Sequence, residues 1–343
     1  TATADVAVHR ASGRWHTSLG VSGLLQSSDS RGIEPIIPDA TTRGGGIFAI
    51  AGLDGAKVSL LLGLRGDARH ISSDPNEQLA LIAGSRNNSA LTGDLGAAWH
   101  LTPNVSLTAN AGRAWRAPTL FELYSNGPRP GEERFEIGNP NLDPETSFNV
   151  DAGIRWQSSR ASGEVSLFND KINRFIYIIP TGDTEDNLRV YRYLQDDATL
   201  RGAEIAASFR PIEALQLRGR HDFVRGTNNA LDQPLPLIPA QRTAVAADLH
   251  GERVGALRAP SIGIEVEHNA SQSRRTDFDF ATDAYTLLHL DAGLNAQLAG
   301  REYRIALRVR NLTDVAYKSY LSRYKEFALD PGRNILLRIS TGF

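Results

Sequence analysis

The residues best suited to chemistry in this chain are binding groups rather than reacting ones. Tyr124, Arg129, Glu132, Glu133 and Arg134 crowd one polar stretch, and Arg274, Arg275, Asp277 and Asp279 another. Tyr320, Arg323 and Tyr324 make a third. Such sets meet a solute by ring stacking and charge-assisted hydrogen bonds. Nothing nominates a nucleophile, since there is no G-x-S-x-G and no convincing Ser, His and Asp order. The 8 His are scattered without His-x-x-x-His spacing, so no metal site is visible. Cysteine is absent, which removes disulfides, zinc ribbons and thiol nucleophiles. Gly44-Gly-Gly46 lacks the Lys-Ser/Thr and helix of a phosphate loop and reads as a bend or packing site. With 37 Lys+Arg against 39 Asp+Glu the net charge is −2, without the basic excess of a nucleic-acid binder. The chain is expected to be no enzyme and to need no cofactor.

The elements that must position these groups have a period of two. Phe148, Val150, Ala152, Ile154 and Trp156 alternate with Asn149, Asp151, Gly153 and Arg155. Leu215, Leu217 and Phe223 oppose Gln216, Arg218, Arg220 and Asp222, and Tyr303, Ile305, Leu307 and Val309 oppose Arg304, Arg308 and Arg310. The same beat closes the chain, with Ile335, Leu337, Ile339 and Phe343 on one face. One greasy and one charged face per strand is β patterning, not helical. No apolar run approaches the roughly 18 residues of a membrane helix. A mean hydropathy of −0.29 still suits a transmembrane barrel, where only alternate residues meet lipid.

Connections alternate as well. Short turns fall at 12–14, 54–56, 101–104, 158–160, 211–213, 250–252 and 299–301. Long polar connections fall near 26–42, 71–86, 115–145, 180–187, 227–239, 271–283 and 314–331. Tight turns at one end and long loops at the other mark an outer-membrane barrel, with the long loops outside. The fold class is therefore all-β, an antiparallel transmembrane β-barrel, with one barrel domain over residues 1–343. Two packed sheets around a dry core would overturn this. Inward-facing Asp151, Arg155, Glu204, Arg218, Arg220, Arg308 and Arg310 are expected to line the lumen, chiefly pairing with one another or with a filling domain.

The spacing gives about 15 strands from 3–11 to 332–343. An odd meander leaves its first and last strands parallel, so they cannot close on each other. Open edges in lipid strand backbone groups at several kcal/mol each. With no methionine even at position 1, the chain reads as part of something longer. Its first strand and its last are expected to pair with strands outside this sequence, or with a second chain that completes the wall.

Several motifs go beyond a generic barrel. Ala114-Trp-Arg-Ala-Pro-Thr-Leu-Phe-Glu-Leu-Tyr124 and Gly138-Asn-Pro-Asn-Leu-Asp-Pro-Glu145 stand in order, followed by Phe168–Ile176. Asn311-Leu-Thr-Asp-Val-Ala-Tyr317, Pro331-Gly-Arg-Asn334 and a terminal Phe343 complete the set. Together they resemble the "F-R-A-P-x-x-x-E-L-Y", "G-N-P-x-L-x-P-E", "N-L-F-D-x-x-Y" and "P-G-R" segments of TonB-dependent outer-membrane receptors. The resemblance implies a barrel of the 22-stranded type, with about the last 15 strands present here and the plug domain and first strands absent. It implies TonB-energised uptake of a scarce solute, the TonB–ExbB–ExbD complex as partner through that plug, outer-membrane lipid around the wall, and the outer membrane of a Gram-negative bacterium. A passive porin-like or structural barrel is the alternative, and a barrel hydrolase a third reading.

Within the family, Phe135–Asn139 and the tail 320–334 are most similar to zinc-uptake receptors. Yet the loop 125–134, where those receptors carry histidines, has none. Glu132 and Glu133 offer oxygens, whereas Tyr124, Arg129 and Arg134 suit an anionic ferric siderophore. Siderophore, metal ion and cobalamin-like cargo all stay open. The Pro- and Gly-bearing motifs read first as architectural. The loop residues Tyr124, Arg129, Glu132, Glu133, Arg134, Arg274, Asp277, Tyr320, Arg323 and Tyr324 are the candidate cargo contacts. Replacing 125–134 with Gly/Ser is expected to leave the barrel assembled and weaken cargo binding at least tenfold, about 1.4 kcal/mol.

Overall fold

A computed structural model describes every residue except 32–33, 130, 255–256, 299 and 342–343. The terminal aromatic Phe343 therefore lies outside the described residues. Among the described residues the strands form one continuous 19-stranded sheet. Its wall begins β1 (Ala2–Ser12), β2 (Trp15–Ser28), β3 (Ala40–Leu53), β4 (Val58–Ser73), β5 (Gly84–Thr102) and β6 (Val105–Arg116). A short helix, α1 (Leu120–Tyr124), and two short strands, β7 (Asn126–Pro128) and β8 (Arg134–Ile137), interrupt the meander. It resumes with β9 (Glu145–Gln157), β10 (Ala161–Glu185), β11 (Leu188–Ile212) and β12 (Leu215–Asn228), then β13 (Gln233–Pro234) and β14 (Arg242–His250). The remainder is β15 (Arg253–Val254), β16 (Leu257–Asn269), β17 (Tyr285–Leu298), β18 (Arg301–Arg310) and β19 (Asn334–Thr341).

Setting aside the short segments β7, β8, β13 and β15, fifteen strands form the wall, each antiparallel to the next. This is the count and direction the alternation gives. β1 and β19 run the same way, and no pairing joins them among the described residues. The wall is open there. Among the described residues no second sheet packs on it, so the sandwich is excluded.

The face assignment follows the alternation. Val6 and Ile47 are 66% and 67% exposed, and Leu19, Phe148, Val245 and Ile339 stand out on the same outer side. Apolar side chains bared in continuous rows fit a wall that meets hydrocarbon rather than water. The opposite face carries the charges, and they pair across neighbouring strands. Arg155 Nη2 meets Glu164 Oε2 at 2.9 Å, Arg218 Nε donates to Asp248 Oδ2 at 2.7 Å, and Arg308 and Arg310 share Asp291 at 2.8 and 3.1 Å. Asp151 accepts from Asn110 at 2.7 Å. Glu204 lies opposite Asp222, which Arg242 holds at 3.1 Å.

One connection differs from its expected form. Residues 180–187 are not a loop: β10 and β11 run 25 residues each and continue as a paired arm beyond the wall. Asp186 and Asn187 turn it at φ of 50° and 62°, the two successive left-handed residues of a tight hairpin turn. Polar Thr181 to Asp186 disguised the strand, because both arm faces are solvated at its tip and alternation has nothing to bury.

Candidate functional site

The motifs that carry the family resemblance turn out to be knots of structure. Arg116 ends β6 and grips Glu145, the first residue of β9, through two bonds of 2.8 and 2.7 Å. Its Nη1 also donates to Glu122 at 2.8 Å. Glu122 in turn caps α1: its Oε2 accepts from Thr119 N at 2.7 Å while Thr119 Oγ1 accepts from Glu122 N at 3.3 Å, a capping box. Glu145 also accepts from the Ile176 amide at 2.6 Å. Likewise Asp314 accepts from the Arg333 amide at 2.7 Å, tying the 311–317 segment to the 331–334 turn. Gly138 belongs to the same set: a Cβ there would lie 2.6 Å from Tyr124 N and 2.7 Å from Leu123 O.

Around these knots the long connections gather into one cavity of about 930 Å³ at the long-loop end. Loop 117–144, the β10–β11 arm and the connections 229–241, 270–284 and 311–333 all contribute to it. Parallel pairing of β8 with β11, Arg134 opposite Arg189 through Ile137 opposite Arg192, fastens the first loop to the arm. Arg129, Glu132, Glu133, Arg134 and Arg323 line the cavity, so the structure brings together five candidates from two distant stretches. Tyr320 lies just behind it, and Tyr324 stacks edge-on with Phe327 at 5.7 Å. Tyr124 is elsewhere. It is 5% exposed, in a core cluster with Ile71, Leu123, Leu142 and Ile176. Arg274 turns from the cavity to donate to the Gly226 carbonyl and Thr227 hydroxyl, and Asp277 stands exposed outside the cavity.

Two buried charge networks make the cavity's back wall. Glu136 is 0% exposed; Arg134 Nη2 meets it at 2.5 Å and Tyr193 donates to it at 3.0 Å. Arg129 lies 3.7 Å away and stacks 4.3 Å over the Phe121 ring. Burial and then Glu136 push the Tyr193 hydroxyl well above its usual pKa. On the other side Lys325 Nζ contacts Asp279 at 2.6 Å and sits 3.7 Å over Tyr320, whose hydroxyl donates to Asp279 at 2.8 Å. Burial first, and that carboxylate second, raise Tyr320 likewise. An ion pair from Arg189 to Glu326 at 3.7 Å joins the arm to the last loop. These pairs use up most of the lining charges.

What the spacing missed is the aromatic lining. Phe175, Tyr177, Tyr191, Tyr193, Phe278, Phe280 and Phe327 all face the cavity. Most lie on the arm, whose strand character the sequence hides; the Phe-Ile-Tyr run 175–177 was the available signal.

One set of metal-type ligands exists among the described residues: Glu265, Glu267 and His289, on the inner wall. It suits a cation poorly. His289 Nδ1 accepts from the Asn311 amide at 3.1 Å, which leaves the proton on Nε2. Arg220 already pairs with both Glu265 and Glu267, at 3.1 and 3.3 Å.

A family model for the "TonB dependent receptor-like, beta-barrel" matches residues 9–312. Among curated proteins, the chain is 25% identical over 243 residues to "Vitamin B12 transporter BtuB" of Vibrio vulnificus (strain YJ016), covering 70% of this chain and 35% of that protein. It is 25% identical over 248 residues to "Heme/hemopexin utilization protein C" of Haemophilus influenzae (strain 86-028NP), covering 65% and 34%. The fold superposes on "Copper transporter OprC" at a TM-score of 0.81 and 18% identity, over 98% of this chain and 55% of that one. For BauA, "the Ferric preacinetobactin receptor from Acinetobacter baumannii", the values are 0.71 and 17%, over 99% and 53%. The chain thus spans about a third of the curated relatives' length and about half of the solved structures'. With the motifs, the open meander and the family model in agreement, this chain belongs to the TonB-dependent receptor β-barrel family.

Proposed function

We propose that this chain is the cargo-binding part of an outer-membrane receptor for active uptake, and that its cargo is a bulky organic or metal–organic molecule rather than a bare ion. The aromatic-lined cavity of about 930 Å³ carries this reading. Rings bind a flat or conjugated cargo face-on at little entropic cost, and the volume falls within the range of sites for molecules of that size. A bare-ion site would want His, Cys or unpaired carboxylates. Here the sequence has no Cys or Met, and Asp279 and Glu136 are already neutralised by Lys325 and Arg134. Haem, cobalamin-like and ferric-siderophore cargo fit this chemistry in common; the vitamin B12 transporter and the heme/hemopexin utilization protein among the curated relatives lean the same way. Energy for release inward would come from TonB–ExbB–ExbD through a plug. No bond of the cargo is made or broken.

The test is titration of the full-length protein, followed by intrinsic fluorescence, with haem, cobalamin and ferric siderophores, beside zinc and copper ions alone. Saturable quenching by one organic cargo, weakened at least tenfold by Tyr191→Ala, is expected. Saturable binding of a bare metal ion with none of the organic ligands would defeat the reading.

A further inference from the structure

The outer wall carries a cluster of cations that the cargo cavity does not use. Arg201 on β11 and Arg225 on β12 lie directly opposite each other. Unbroken alternation puts Arg201 on the face of exposed Ile205 and Phe209, and Arg225 on that of Leu217 and Phe223. That is the apolar outer face, not the lumen. Lys171 on β10 joins them one row up through Thr199. Arg274 reaches in from the 270–284 connection, donating to Gly226 O and Thr227 Oγ1 beside Arg225. No carboxylate lies within ion-pair distance of any of these four among the described residues. This contrasts with the lumen, where arginines pair strand to strand. The crowding is felt electrostatically: burial first, then Arg225 and Arg201, lower the pKa of Arg274, with Asp232 offsetting in part.

Height along the wall explains why unpaired cations belong there. Arg225 is about eleven residues above the short-turn end of β12; at ~3.3 Å per residue and a tilt of ~40° that is ~28 Å. An outer-membrane barrel's apolar band is ~25 Å tall, so the cluster sits at its outer rim. Below it Phe223 and Leu167 present rings and methyls to hydrocarbon. Like charges gathered without counter-ions are unfavourable unless an anion meets them, and guanidinium forks match phosphate oxygens two at a time. Apolar contacts beneath and cations above are the halves of a lipid site.

We propose that Lys171, Arg201, Arg225 and Arg274 form a site on the outer barrel wall for the phosphorylated headgroup of an outer-leaflet lipid, with its acyl chains lying against Phe223 and Leu167. The test is native mass spectrometry of the full-length protein in nonionic detergent, with bis-phosphorylated lipid A as probe. Dephosphorylated lipid A and inorganic phosphate serve as the other arms. The expected result is retention of the phosphorylated lipid at least tenfold above the dephosphorylated one, little binding of free phosphate, and loss of that preference in the Arg201→Gln, Arg225→Gln double variant. Equal retention of both lipids, or an unchanged preference in a folded double variant, would overturn the site. Should the double variant fail to fold, salt decides: raising it from about 0.05 to 0.5 M shortens the Debye length several-fold and must weaken phosphorylated-lipid retention in the unmodified protein. Retention indifferent to salt would equally overturn it.

Discussion

Glu136 shows how far a single residue can be committed. A fully buried carboxylate is tolerated only with partners, and Arg134, Arg129 and Tyr193 supply them. Arg134→Ala leaves that charge short of its main partner and is expected to destabilise the loop end by about 3 kcal/mol. The check is the temperature at which the folded, fast-migrating gel band is lost. Adding Glu136→Gln should recover much of the loss, and no recovery would show that Arg134 acts by packing alone. A Gly/Ser replacement of 125–134 would also remove Arg129 and Arg134, so cargo effects are better read on Tyr191 or Arg323. A second residue prediction concerns Tyr177, on the arm outside the membrane. Burial and then its bond to Asp196 push it up to about 12. Because the folded value exceeds the ordinary value near 10, its stabilisation is complete below pH 10 and lost as pH climbs through 12. Absorbance titration of tyrosinate should show one component ionising near 12 that Tyr177→Phe removes, while the still later ionisation of Tyr193 and Tyr320 remains; an unchanged curve would refute the assignment.

At the scale of elements, the loop and the arm form one unit. β8 extends the arm's edge, α1 is capped by Glu122, and Arg116 bolts both to β6 and β9. Gly138 is where this unit is tightest. A Cβ there meets backbone of Leu123 and Tyr124, which cannot rotate away. Gly138→Ala should therefore cost about 1–3 kcal/mol and loosen the cavity without touching the wall. Protease cleavage confined to residues 120–140 in the variant, with the wall intact, is the expected outcome. Cleavage no faster than in the unmodified protein would contradict it.

For the whole molecule the deciding fact is direction. β1 and β19 run parallel at the two ends of an open antiparallel wall. In a bilayer each free edge would leave a row of backbone groups unsatisfied at several kcal/mol apiece. We expect further strands, in odd number, to bridge the two edges. Cysteines introduced in pairs on the full-length protein can test this. Val6 should cross-link to a residue preceding this stretch, and never to Ile339. A Val6–Ile339 disulfide would disprove the bridging strands.

The wall is legible in the residues alone. Alternation in β9, β12 and β18 names the apolar and charged faces, because a period of two is imposed by the strand on every residue and needs no distant partner to be read. Direction and parity are legible too, since turn lengths alternate along the chain. Four placements emerge only in the folded chain. Arg129 and Arg323 line one cavity though 194 positions apart. Tyr124 belongs to the core. Residues 180–187 are an arm. Arg274, from a distant connection, comes to lie beside Arg225 at the outer rim. The physical reason is common to them. Outside the membrane no solvent boundary runs along each strand, so loop residues take their places from cross-chain pairings such as Arg134 with Glu136 and β8 with β11, and no local period encodes those.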